Sequence, residues 1–136
     1  MKTVHVVLLL LGFTCLQGCL NNVEDISESS DYDPSEISYS NDIQPILTQT
    51  CGGSGCHVNS STNGVNVSSY STLMNSSGTV YGEAVVNPGN PDDSPLVDKI
   101  EPDPRFGSRM PQGGPFLTND EISKIRAWIK GGAEDN

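Results

Sequence analysis

The chain has 136 residues, 17 acidic and 7 basic, with a formal charge of −10. That balance excludes nucleic acid and anionic lipid surfaces as partners, because both are bound through clustered lysine and arginine. The length suits one domain with a modest core, and no internal repeat divides it.

Lys2 begins a short positive region, and Val4 to Phe13 form an apolar run. A run of about ten residues is too short to cross a bilayer core of about 30 Å, so residues 1–18 read as an export signal. Leu16-Gln17-Gly18-Cys19 closes it. This tetrad resembles the lipobox of bacterial lipoproteins, which implies cleavage before Cys19, acylation of its thiol and attachment to a membrane through the N-terminal lipid. Leu20 after Cys19, in place of an aspartate, resembles outer-membrane sorting. Localisation is thus expected to be that of an exported lipoprotein of the outer membrane, facing the periplasm or the exterior.

Residues 19–38 follow as the lipidated cysteine and an acidic tether, with Glu24, Asp25, Glu28, Asp31, Asp33 and Glu36 among serines and no basic residue. Too little apolar surface is present to offset the entropy of ordering, so a disordered arm is expected. It serves either as a spacer or simply as a solvated extension. Loss of Lys2 with the signal leaves six basic against seventeen acidic residues, a formal charge of −11.

The domain proper is expected over 39–136. Ile43, Ile46, Leu47 and Thr50 fall at helical spacing, with Ser40 or Asn41 as N-cap and Pro45 admissible only near the first turn. This helix should end near Gln49 and deliver the next segment, Cys51-Gly52-Gly53-Ser54-Gly55-Cys56-His57. Two cysteines with a histidine directly after the second are the sign of covalent c-type haem: two thioethers fix the macrocycle and the imidazole reaches its iron. The usual spacing has two residues between the cysteines; this chain has four, three of them glycine. A loop lacking β-carbons can bulge until the two sulfurs again match the porphyrin vinyl groups.

Plainer readings remain beside this one. Cys51 and Cys56 could close a small disulfide in an exported protein, which leaves His57 unexplained. A closed zinc site wants four Cys or His ligands. The mature chain cannot supply them, because Cys15 and His5 leave with the signal and Cys19 carries lipid. His57 is then the only histidine, so ligation of iron by two histidines is excluded.

Further along, 68–75 suits a short helix and 84–86 an extended piece; Asn87-Pro88-Gly89-Asn90-Pro91 is a turn cluster, and 94–100 makes about two helical turns. Arg109-Met110-Pro111-Gln112-Gly113-Gly114-Pro115 places a thioether on a constrained loop about fifty residues after His57. Met110 is the expected sixth ligand; Met74, the only other methionine of the mature chain, falls in a helical pattern and reads as packing. Arg105 and Arg109 flank the loop as partners for haem propionates or as solvated cations. Trp128, Tyr70, Phe106 and Phe116 are candidates for packing on the ring, or ordinary core. At the end, Thr118-Asn119-Asp120-Glu121 is a capping box, Ile122, Ile125 and Ile129 form one stripe beside Trp128, and Gly131-Gly132 stop the helix.

The order of helix, Cys-x4-Cys-His, Pro88 to Leu96, Arg109-Met110-Pro111 and the Ile-rich final helix resembles the single-haem cytochrome c domains of bacterial lipoproteins, over residues from about 40 to 135. The resemblance implies an all-α, small cytochrome c-like domain, with N- and C-terminal helices packed around one covalent haem c and irregular middle loops. By position it makes Cys51 and Cys56 the thioether residues, His57 the proximal iron ligand and Met110 the distal one. It implies one-electron transfer rather than enzymatic turnover, alone or as a subunit or partner of an oxidoreductase. The acidic surface calls for redox proteins with a basic docking patch. Two other functions stay open: a haem protein whose sixth position opens, as a gas sensor or weak peroxidase, and a haem-free structural lipoprotein with a Cys51–Cys56 disulfide.

Overall fold

The structure is a computed structural model that describes residues 31–136. The export signal, the lipobox and Cys19 lie outside the described residues.

The chain first packs earlier than its acidic composition suggests. Asp33 caps a single 3-10 turn, Pro34–Glu36, by accepting from the Ser35 amide. Tyr32 donates its hydroxyl to Asp120 and lies under the Lys124 ammonium, 5.3 Å from the ring centre. Ile37 is buried. Residues 32–38, expected to belong to the disordered tether, are therefore part of the packed domain, because one tyrosine and one isoleucine among the acids bury against the last helix.

The first helix opens with a wide π turn, Tyr39–Ile43, and continues as α1, Gln44–Thr50. Its cap is Ser38, two or three positions before the expected Ser40 or Asn41, with the Ser38 hydroxyl accepting from the Asn41 amide. The wide turn answers Pro45, whose ring would press on the carbonyl four residues back in a regular helix. Ile43 and Leu47 are fully buried. Two short helices follow, α2 (Tyr70–Met74), held by a Ser69/Thr72 capping box, and α3 (Pro95–Ile100), which buries Leu96, Val97 and Ile100. Between them β1 (Ser77–Gly78) pairs antiparallel with β2 (Glu83–Ala84), Ser77 opposite Ala84.

α4 (Asn119–Lys130) carries the reciprocal Thr118/Glu121 cap and buries Ile122, Ile125, Trp128 and Ile129. It packs on the turn Tyr39–Ile43 and on α3. Gly131 follows because a β-carbon there would stand 3.1 Å from both the β-carbon and the carbonyl oxygen of Pro34. The tail then crosses back: the Trp128 indole donates to the Glu134 carbonyl at 2.9 Å, and the Asn136 carbonyl accepts from the Ser40 amide at 3.0 Å. One continuous cluster of aliphatic and aromatic side chains joins all four helices. The centre of this domain is thus filled by its own side chains, and the space for a ligand lies to one side of them.

Candidate functional site

That space is a mainly apolar cleft, partly open to solvent. Val65, Val67, Val85, Leu96 and Ile100 contribute to its wall, and Cys51, His57 and Met110 reach it from two separate segments, the Cys51–His57 loop and the loop after α3. A second, wider groove beside α4, lined in part by Asp92, Glu101 and Arg126, has no cysteine, histidine or methionine in its wall.

Each of the three is positioned by backbone bonding. Cys51 caps the end of α1, its amide donating to the Leu47 carbonyl at 2.9 Å. The intervening loop closes when the His57 amide donates to the Cys51 carbonyl at 3.1 Å. Glycine is needed directly after Cys51, since a β-carbon on Gly52 would sit 2.3 Å from the Thr48 carbonyl oxygen. Gly55, at φ +78°, takes the left-handed turn that precedes Cys56. His57 is locked on its other side by the Val67 amide, which donates to its carbonyl at 2.8 Å.

The imidazole itself is oriented. Nδ1 lies 3.2 Å from the Val65 carbonyl oxygen. A carbonyl can only accept, so this contact puts the proton on Nδ1, and in the neutral imidazole Nε2 then keeps its lone pair. This is the arrangement in which a histidine serves as a metal ligand.

Met110 enters from the loop after α3, its amide donating to the Lys99 carbonyl at 2.7 Å. Met74 is half-buried against the hydrophobic core and does not line the cleft. The two cysteines, unbonded to each other, differ in setting: Cys51 is half-buried and Cys56 exposed, outside the cleft wall. Burial pushes the Cys51 thiol above its ordinary pKa, and the nearby Cys56 acts in the same direction.

Of the other side chains singled out in the sequence, Trp128 and Tyr70 belong to the core, each in ring contact with Tyr39. Phe106 and Phe116 are about half exposed. Arg105 pairs with Asp98 at 3.3 Å, and Arg109 donates to the Ile100 carbonyl at 2.7 Å while lying over the Phe116 ring. None of these six lines the cleft. Two residues that sequence reasoning passed over do: Tyr81, whose hydroxyl donates to Asp98, and Lys99. Burial, then the Asp98 hydrogen bond, raises the Tyr81 pKa.

Of what a covalently held haem requires, the cleft lining supplies an apolar recess, an imidazole, a thioether and one cysteine, while Cys56 stands outside it. Among the described residues no group of three or more His, Cys, Asp or Glu side chains forms a metal site of its own. Comparison with protein-family models, curated proteins and solved structures finds no match for the chain.

Proposed function

We propose that this chain is a membrane-anchored, single-haem c-type cytochrome that carries one electron at a time between redox partners of a bacterial cell envelope. Cys51 and Cys56 would hold the haem, and His57 and Met110 its iron. The observation that carries the reading is the convergence of Cys51, His57 and Met110, up to 59 positions apart in the chain, on one apolar cleft. When bound, haem c supplies a one-electron iron centre, whose potential a thioether ligand raises.

The protein's own residues do the rest. The Val65 carbonyl keeps the proton on Nδ1 of His57 and so keeps Nε2 available. The apolar wall lowers the local dielectric on the closed side of the cleft. Met110 would serve as a second ligand to the iron, which would favour electron exchange over binding of oxygen or peroxide. Cys56 stands outside the wall on a glycine loop, and that loop's freedom is what would let its thiol meet the ring.

The test is the intact mass and absorption spectrum of protein matured with a working haem-attachment system. A mass increase of one haem and a c-type spectrum with a weak far-red sulfur-to-iron band are expected, and Met110→Ala should abolish that band and lower the potential. A colourless, folded, correctly processed protein would sink the reading.

A further inference from the structure

We infer that Lys99 is a positioning residue for Met110, holding the loop that presents the thioether to the cleft. The inference rests on the haem reading above and deepens it. Lys99 lies in the last turn of α3 and lines the cleft. Its ammonium donates to the carbonyls of Phe106 and Ser108, both at 2.7 Å, and its own carbonyl accepts from the Met110 amide at 2.7 Å. One residue therefore grips the loop at three points, the third of them the methionine itself. Gly107, at φ +63°, carries the loop around the ammonium, with the position of a β-carbon there only 3.6 Å from Nζ.

This grip matters because little else holds the segment. From 101 to 116 no apolar side chain is buried; the core resumes only at Leu117. Hydrophobic burial is thin over these residues, limited to contacts such as the Phe106 ring meeting Tyr81 edge-on at 5.1 Å, so polar contacts must offset much of the entropy of fixing them. Beside the ion pairs of Arg105 with Glu83 and of Glu101 with Arg126, those contacts come from three consecutive residues of α3. Asp98 receives the Arg105 amide at 3.1 Å, Ile100 receives Arg109, and Lys99 takes the stretch between them and Met110. Among the described residues the Lys99 ammonium makes no ion pair within 4.0 Å, so its two carbonyl contacts are its polar role in this fold. A thioether is a neutral ligand. Its occupancy of iron depends on the fraction of time its loop is in the binding arrangement, and freeing the loop lowers that fraction.

The experiment compares matured full-length wild type with Lys99→Ala, Lys99→Arg and Met110→Ala. It reads the far-red band, the affinity of the sixth position for added imidazole, and thermal unfolding followed by Trp128 fluorescence. Lys99→Ala should weaken the band and raise imidazole affinity about tenfold, which corresponds to about 1.4 kcal/mol or one net hydrogen bond. Lys99→Arg, still a cationic donor, should stay near wild type. Where Lys99→Ala gives too little matured protein, Lys99→Gln, too short to reach both carbonyls, should show the same trend. A Lys99 variant that melts earlier yet binds imidazole as wild type does is only destabilised, and that overturns the inference. A wild type without the band, or one whose imidazole affinity Met110→Ala leaves unchanged, overturns the ligand assignment and the inference with it.

Discussion

Tyr39 links three parts of the molecule through one side chain. Its ring meets Tyr70 edge-on at 5.2 Å and Trp128 at 5.3 Å, its hydroxyl donates to Gln44, and its amide donates to Asn136 at 2.7 Å. Burial, with smaller contributions from Asp135 and Tyr70, pushes its hydroxyl up to about 12. In the unfolded chain the same group titrates near 10. Between those values the native state keeps a proton that the unfolded state has lost, so stability is complete below about pH 10 and falls as pH rises toward 12. Tyr81, raised by burial in the same direction, adds to the decline. Urea midpoints should therefore drop across this window, and Tyr39→Phe should flatten part of the drop. A Tyr39→Phe profile parallel to wild type at every pH would remove Tyr39 as the cause.

At the scale of elements, the helix most legible in the sequence is α4, because everything that makes it is local. The Glu121 carboxylate accepts from the Thr118 amide at 2.8 Å, and the Thr118 hydroxyl accepts from the Glu121 amide at 3.2 Å. Thr118→Ala should cost about 1 kcal/mol and lower the melting temperature by roughly 4–8 °C, measured by circular dichroism. An unchanged midpoint would mean that packing against α3 and the first turn alone holds the helix end. What was illegible is what depends on distant partners. Ser38 as the first cap, and the docking of 32–38, rely on residues about ninety positions away, Asn136 and Asp120. Strands of two residues leave no alternation to read.

The site divides in the same way. Cys51, His57 and Met110, which reach the cleft while Cys56 stands outside its wall, could be named from the sequence because their side-chain chemistry is rare in this chain, with one histidine and two methionines among residues 31–136. The walls could not. Tyr81 and Lys99 come from a loop and a short helix whose aromatic and cationic side chains carry no pattern until the fold places them beside the cleft. Of the ring-packing candidates, Trp128 and Tyr70 take the other reading the sequence left open, ordinary core: they pack in and against the hydrophobic cluster and do not line the cleft.

For the whole molecule the decisive quantity is charge. Arg105, Lys124 and Arg126 are each ion-paired with acids, which leaves the excess of carboxylates to set the long-range field. Near the cleft the balance is locally different, since Lys99 and Arg109 contact carbonyls rather than carboxylates. On the proposed electron-transfer reading, the two scales make opposite demands on a redox partner. A net charge of −10, or −11 without Lys2, attracts cations over about a Debye length, roughly 10 Å at 0.1 M salt, whereas Lys99 in the cleft wall and Arg109 on the neighbouring loop act only on contact. Oxidation of the reduced, matured protein by a small cationic metal complex should therefore outpace oxidation by an anionic complex of matched potential, by about tenfold or more at low salt. The ratio should close as ionic strength approaches about 1 M, where screening shortens to about 3 Å. Stopped-flow rates at several salt concentrations measure it. A faster anionic oxidant would show that Lys99 and Arg109, not the acidic surface, govern approach to the cleft, and the natural partner would then need an acidic rather than a basic docking face.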